Sequence, residues 1–412
     1  MSENVNFPGA RRAGAYVETE DVPDVVPAAP VQARDAAAVE DEAIVEPSWE
    51  PSAEVSAAAP TVTTHESEGA AVPASPRGGG AMSVPAPAEV EEDHEPVEPA
   101  VEGLRGFLNR VTAGVFKLGP SVREGDTRAL VAAQEGFEAL IRQSAWTRGV
   151  GVLVANKKGT AGKTPTAISL GGVIAAIRGG SVAIGEAADD RGQLAYRAEG
   201  EPQLGMGELV ANIGAVRTQA QLRGYTVTQT SFASVIGSTP KWRAPLTRQN
   251  VLDVAAIVDE HFTVRVWDTG NQYSSGPFSA AVDTSDVLVI PTMNSMDSVF
   301  DALELLEFLK AQGGDAARLA ETAIVVRLSD GRPEFKAARV KKYFMDQGIT
   351  EDRIYSLPFD AHIAERGALT LDKLAPATRQ ALTAVAAGVV AQLNVNVFEK
   401  DQQQQIDEGE KR

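Results

Sequence analysis

Residues 152–164 read Val-Leu-Val-Ala-Asn-Lys-Lys-Gly-Thr-Ala-Gly-Lys-Thr. The apolar start of this stretch predicts a buried strand, and the glycines that follow predict a loop. Directly after the loop, an apolar run from Ala167 to Ile177 predicts a helix. A strand, a glycine-containing loop ending in Gly-Lys-Thr and a helix form the arrangement of a phosphate-binding loop. The alternative, a chance Gly-Lys-Thr in an ordinary strand-to-helix turn, is disfavoured because the strand and the helix are both present.

The residue types in this loop fit the chemistry of phosphate. Backbone amides of the loop and the positive end of the helix dipole both attract phosphate oxygens. Lys163 stands where it would reach β- and γ-phosphates, and the hydroxyl of Thr164 stands where it would bind Mg²⁺.

Charge is distributed unevenly along the chain. The 412 residues have a formal net charge of −18, and residues 1–100 contain 20 acidic and 4 basic side chains. That segment is rich in Ala, Pro, Val and Ser and poor in aromatic residues, so it cannot bury enough apolar surface to offset the entropy of ordering. We therefore predict a disordered acidic tail over residues 1–100, which serves either as a solvated linker or as an arm that docks on a partner.

The composition also bounds the location of the protein. The chain has no cysteine, so disulfide and thiol chemistry are excluded. The sequence shows neither an apolar signal-peptide core near its start nor an uninterrupted apolar run of about 18 residues, so a membrane span is not expected. We predict a cytoplasmic protein.

A helical lead-in is predicted over residues 101–145. Apolar residues recur at helical spacing over residues 101–118, with Arg105 and Arg110 on other faces. This basic amphipathic helix has three possible roles: packing on the following domain, binding a partner, or lying on an anionic membrane. A second helix is predicted from Thr127 to Gln143.

Short apolar strands alternate with helices over residues 146–398. This pattern predicts an α/β fold with three layers and a doubly wound, mostly parallel sheet, in which a nucleotide would lie at the carboxyl ends of the strands. Predicted helices include one over residues 206–223 and a closing helix from Ala377 to Val395. A polar tail is predicted over residues 399–412.

Carboxylates stand at the ends of two predicted strands. The run from Thr263 to Trp267 ends in Asp268, which we expect to bind Mg²⁺ directly or through water. The strand from Ser181 to Gly185 leads into Glu186-Ala-Ala-Asp-Asp-Arg-Gly-Gln193, which is either part of the site or an acidic surface turn.

The loop from Asn156 to Thr164 resembles the deviant Walker A motif of ParA/MinD-type ATPases, the SIMIBI class of P-loop proteins. The family pattern is roughly Asn-x-Lys-Gly-Gly-x-Gly-Lys-Thr, and Thr160 stands here in place of one glycine. The resemblance implies ATP and Mg²⁺ as cofactors, hydrolysis that is slow and stimulated by a partner, and a homodimer when ATP is bound. In that dimer Lys158, rather than Lys157, would reach the phosphates of the other subunit.

Further site residues follow from the resemblance. Asp189 matches the second aspartate of the family's first switch, Ala187 replaces the first aspartate, and Glu186 or Asp190 are the alternatives. Arg327 stands where the family often has an asparagine that reads adenine. The implied catalytic residues are Lys158, Lys163, Asp189 and Asp268. The implied ATP contacts are Lys158, Gly159, Thr160, Ala161, Gly162, Lys163, Thr164, Pro165, Pro358 and Phe359, and the implied Mg²⁺ ligands are Thr164 and Asp268.

Three functions remain open at this level. The first is partition of plasmid or chromosomal DNA, or positioning of a protein cargo, with DNA phosphates bound by Lys336, Arg339, Lys341 and Lys342; the alternative for that helix is a solvated face. The second is a catalytically degenerate adaptor that binds partners through the tail or the 101–118 helix. The third is regulation of a secretion or conjugation machine. The polar C-terminal tail lacks the basic, aromatic-studded helix with which MinD-like members hold a membrane.

Overall fold

The computed structural model describes residues 122–410. The predicted acidic tail and the predicted 101–118 helix lie outside the described residues. The first described element is helix α1 (Val122–Gln143), which begins earlier than the predicted start at Thr127. Arg178 donates hydrogen bonds to the carbonyls of Ile141 and Ser144, which ties the end of α1 to the domain that follows.

Eight strands form one sheet in the order β3-β4-β2-β5-β1-β6-β7-β8. Every neighbouring pair is parallel except β3 with β4. The fold class predicted from the sequence is therefore confirmed. The strands are β1 (Val150–Val154), β2 (Val182–Ala187), β3 (Val227–Thr228), β4 (Ser234–Ile236), β5 (Val264–Thr269), β6 (Val287–Met293), β7 (Ile324–Leu328) and β8 (Ile354–Leu357).

Helices cover both faces of the sheet. They are α2 (Lys163–Arg178), α3 (Leu194–Arg197), α4 (Met206–Asn212), α5 (Gln219–Arg223), α6 (Arg248–Asp259), α7 (Gly276–Asp283), α8 (Met296–Gln312), α9 (Gly314–Glu321), α10 (Ala337–Asp346), α11 (Ala361–Ala364) and α12 (Pro376–Glu410). One hydrophobic core lies between the sheet and α4 with α6 to α10, around Trp267. The other lies between the opposite face and α1, α2 and α12, around Ile174.

The central position of β1 places the loop that follows it. β1 is buried along its whole length and pairs with β5 on one side and β6 on the other. In the β1–β5 register Val154 lies opposite Asp268, and in the β2–β5 register Glu186 lies opposite Asp268. Because parallel strands end at the same edge of a sheet, the loop and both carboxylates meet there.

The prediction of one helix over residues 206–223 is wrong. α4 ends at Asn212, a 3₁₀ turn covers Ile213–Ala215, and α5 starts a new helix. The hydroxyl of Thr218 accepts a hydrogen bond from the Gln221 amide, and this capping box begins α5 where a continuous helix would have no cap.

The closing helix is longer than predicted. α12 continues past Val395 to Glu410, so the predicted boundary at residue 399 falls inside it. Among the described helices, α12 is long and apolar enough over Pro376–Gln403 to cross a membrane, judged by length and composition alone. Helices in the cores of water-soluble proteins share that property, and 56% of the apolar window is buried against the rest of the domain.

Candidate functional site

The loop between β1 and α2 is shaped by Gly162 and Asn156. Gly162 is the N-cap of α2 with φ of 91°, and a Cβ there would come within 2.5 Å of Leu328 Cδ1. Asn156 anchors the loop, because its Nδ2 donates to the carbonyl of Pro291 and its Oδ1 accepts from the Lys158 amide. Thr160, which replaces a family glycine, is not among the described residues with positive φ. Threonine therefore needs no left-handed backbone at that position.

Lys163 is held inside the loop. It is only 7% exposed, and its Nζ donates to the Lys158 carbonyl at 2.9 Å and to Asn271 Oδ1 at 2.6 Å. Burial lowers the pKa of Lys163 to about 8, against the attraction of Asp268. Both bonding partners are neutral oxygens, so a phosphate group would be a stronger acceptor than either of them.

The magnesium ligands predicted from the sequence lie together. Thr164 Oγ1 donates to Asp268 Oδ2 at 2.7 Å. The other carboxylate oxygen, Asp268 Oδ1, is buried without a hydrogen-bond partner among the described residues. A hydroxyl and a carboxylate oxygen are the hard ligands that Mg²⁺ takes when phosphates and water complete its shell. The residues present therefore fit this ion.

Asp268 is strongly perturbed. Burial raises the pKa of its carboxyl to about 7, the hydrogen bond from Thr164 opposes the rise, and the charge of Glu186 adds to it. A cation at Asp268 Oδ1 would favour the ionised form. Titratable groups shifted in this way cluster at functional sites.

A cavity of about 660 Å³ opens above the loop. Seven of the predicted ATP contacts line it, and six of them belong to the loop and the start of α2: Gly159, Thr160, Gly162, Lys163, Thr164 and Pro165. Pro358 also lines it, at the end of β8. Lys158, Ala161 and Phe359 are not among its lining residues; Ala161 is fully buried and Phe359 is largely exposed.

The two lysines before the loop point towards α8. Lys157 Nζ lies 2.7 Å from Glu304, and Lys158 Nζ lies 2.8 Å from Asp297 Oδ2. Hydrogen bonding to Lys158 lowers the pKa of Asp297 to about 2. Both lysines are therefore paired within their own chain in this structure.

The turn after β2 is held by a residue that sequence reasoning missed. The guanidinium of Arg243 donates to Glu186 Oε1 and to the carbonyls of Ala188, Asp189 and Asp190. Glu186 also accepts from Ser238, and Glu186 lines the cavity. Asp189 does not line it. No local sequence signal identifies this role of Arg243, because Glu186 and the turn carbonyls that it contacts lie more than fifty residues away.

The part of the cavity wall that follows β7 differs from the expectation for a base-reading residue. Arg327 is buried within β7, donates to Asn294 Oδ1 at 3.1 Å, and does not line the cavity. Leu328, Ser329 and Asp330 line it instead.

Most of the side chains that the sequence predicts to bind DNA already contact other residues of this chain. Lys341 pairs with Glu351 at 2.8 Å, Lys342 pairs with Asp346 at 2.9 Å, and Arg339 lies over the ring of Phe335. Such pairing is typical of a solvated helix face.

The chain resembles several solved structures, among them ParA and MinD ATPases. They include a ParA family ATPase from Chlorobium tepidum (14% identity, 61% of this chain and 96% of that chain covered, TM-score 0.46). Another is the cell division ATPase MinD from Pyrococcus furiosus (17% identity, 58% of this chain and 98% of that chain covered, TM-score 0.45). MinD from Pyrococcus horikoshii, solved with Mg-ADP, is also similar (16% identity, 63% and 98% covered, TM-score 0.43).

No family model matches the chain. No curated protein matches it either.

Proposed function

We propose that the protein is a nucleotide switch of the ParA/MinD type, which binds ATP with Mg²⁺ and hydrolyses it slowly. The observation that carries the proposal is the meeting of Lys163, Thr164 and Asp268 beneath one cavity. Within this cluster Asp268 Oδ1 is a buried oxygen without a partner among the described residues, and Lys163 is a buried cation bonded to neutral oxygens.

The residues of the chain divide the work of phosphoryl transfer. Amides of the loop and the start of α2 bind the β- and γ-phosphates, and Lys163 exchanges its two neutral acceptors for phosphate oxygens. Thr164 and Asp268 would hold Mg²⁺, which would offset the negative charge of the phosphates. Asp189 orders the attacking water; its Oδ1 is 3.8 Å from the Cβ position at Gly270, which lines the cavity.

The test of nucleotide binding uses Lys163→Ala. We expect wild-type protein to bind ATP in the presence of Mg²⁺ and the variant to lose affinity by about tenfold or more, because a charge-assisted contact to phosphate is removed. Isothermal titration with ATP measures both. Lys157→Ala is the matched control, since that lysine belongs to the same loop but pairs with α8, and it should bind normally. Equal affinity of Lys163→Ala and wild type, or no binding by wild type, would overturn the proposal.

The ATP-bound state is proposed to be a homodimer in which Lys158 contacts the phosphates of the other subunit. The dimer would serve either DNA partition or the positioning of a protein cargo, depending on which partner it binds. The ion pairs of Lys341 and Lys342 do not favour DNA. A degenerate adaptor is the competing function, favoured by the position of Arg327 outside the cavity. Measurable ATP turnover would exclude that adaptor.

A further inference from the structure

Arg197 is a buried cation on the wall of the cavity. It is the last residue of the short helix α3, is 6% exposed, and lines the same cavity as Lys163. Its only side-chain hydrogen bond within the described part of the chain runs from a terminal nitrogen to the Ile363 carbonyl, at 3.3 Å. Its Nε has no partner there. A buried guanidinium with so few acceptors is costly unless an anion completes its shell.

The carboxylates that line the cavity do not supply that anion. Glu186 forms an ion pair with Arg243, and Asp268 accepts a hydrogen bond from Thr164. Asp330 accepts from the Arg332 amide and lies near its side chain. Asp360 caps α11 and accepts from the amides of His362 and Ala375. No ion pair to Arg197 occurs over residues 122–410.

A second arginine adds positive charge to the wall of the same cavity. Arg366 lines the cavity, carries no side-chain hydrogen bond or ion pair in the described range, and repels Arg197. Its backbone φ is 58°, a left-handed conformation that non-glycine residues seldom adopt. A left-handed residue commonly ends a helix, and Arg366 follows the C-cap of α11. Two like charges are thus held beside one cavity with no acidic partner.

We infer that Arg197, supported by Arg366, binds the α-phosphate of the nucleotide from within the same subunit. This inference rests on the proposed function, because it assumes a nucleotide in the cavity. The loop amides and Lys163 are assigned to the β- and γ-phosphates, so the α-phosphate is the anion that still needs a cation. Arg197 stands at the junction of α3 with α11, just past β8, and its guanidinium has donors to spare for two phosphate oxygens.

The test replaces Arg197 with methionine, which keeps a long side chain and removes the charge. We expect affinities for AMP, ADP and ATP to fall by a common factor of about 10- to 100-fold, while the affinity for adenosine stays the same. Each is measured by competition with a fluorescent ATP analogue. Arg197→Lys should recover part of the loss. Arg223→Met is the matched control, because Arg223 also ends a short helix but is exposed and does not line the cavity.

Thermal unfolding without nucleotide separates ligand binding from a structural role. Since Arg197 is buried without an acidic partner, Arg197→Met should melt at the same temperature as wild type or higher. A lower melting temperature with unchanged affinities would assign the residue to the fold and overturn the inference. A loss confined to ATP and ADP, or one shared by adenosine, would overturn the α-phosphate assignment. If wild type bound ATP in each of these cases, the proposed function would survive.

Discussion

Burial makes the charged forms of two residues of the site less stable. Burial raises the pKa of Asp268 to about 7 and lowers that of Lys163 to about 8. In each group burial thus weakens the preference for the charged form when nothing occupies the cavity. A magnesium ion and a triphosphate would stabilise both charged forms, so binding should raise the stability of the fold as well as fill the site.

Replacement of Asp268 with asparagine should stabilise the ligand-free protein at neutral pH. The ordinary pKa of this carboxyl is 3.8, so between about pH 4 and 7 the folded state holds a proton that the unfolded state has lost. Stability of wild type therefore falls as pH rises through this window. We expect the melting temperature of Asp268→Asn in EDTA to match wild type near pH 4 and to exceed it by at least roughly 2 °C above pH 7.

Asp286 is the control with the opposite sign. Burial alone would raise its pKa, but the guanidinium of Arg148 outweighs burial and holds the pKa below its usual value. Stability from this carboxylate is present at neutral pH and is lost as pH falls through the folded pKa. Asp286→Asn should therefore melt lower than wild type at pH 7. Parallel pH profiles for wild type and Asp268→Asn would contradict the role of Asp268.

At the scale of elements, Arg243 ties two loops of the sheet edge together. It belongs to the segment after β4, yet it donates to Glu186 at the end of β2 and to carbonyls in the following turn. Under the proposed function this turn would be the segment that responds to the γ-phosphate. The conformation of this turn is thus set by an arginine from another part of the chain.

Replacement of Arg243 with methionine should loosen that turn. The variant leaves Glu186 buried without its cation, a loss of about 3–5 kcal/mol for buried pairs. We expect a lower melting temperature and faster amide hydrogen exchange over residues 187–192, measured by mass spectrometry. The double variant Glu186→Gln, Arg243→Met removes the stranded charge and should regain stability. Unchanged exchange in this turn would show that Arg243 does not hold it.

At the scale of the whole molecule, the proposed dimer requires Lys158 to change partners. Its ion pair with Asp297 is partly exposed, and surface pairs of this kind contribute about 0–1 kcal/mol. A phosphate group of a second subunit would therefore compete easily.

Lys158→Ala should keep ATP binding and lose both ATP hydrolysis and the ATP-dependent dimer. In related GTPases a cation supplied in trans raises the rate of hydrolysis by about 10³- to 10⁵-fold. Light scattering after gel filtration with ATP measures the dimer, and phosphate release measures turnover. Asp297→Asn frees Lys158 and should strengthen the dimer, whereas Lys157→Ala should behave as wild type. Normal ATP turnover by Lys158→Ala would contradict the proposal that Lys158 acts on the phosphates of the other subunit.

The sequence by itself determined the local parts of this protein. Apolar runs predicted the strands around the site, and Gly162, Lys163 and Thr164 follow from the spacing of the loop. Asp268 follows from its place at a strand end. These features depend on neighbours a few residues away, so a linear pattern records them. The sequence pattern wrongly predicted one continuous helix over residues 206–223, because the capping box that starts α5 outweighed the helical spacing of the apolar residues.

Only the tertiary structure decided which charges meet. Arg243 reaches Glu186 across 57 residues, and Arg197 reaches the Ile363 carbonyl across 166. The partners of Lys158 and Lys163, Asp297 and Asn271, likewise come from distant elements. A side chain's partner depends on which strands and helices become neighbours when the sheet folds, and on which groups lose water there. A linear pattern does not carry that information.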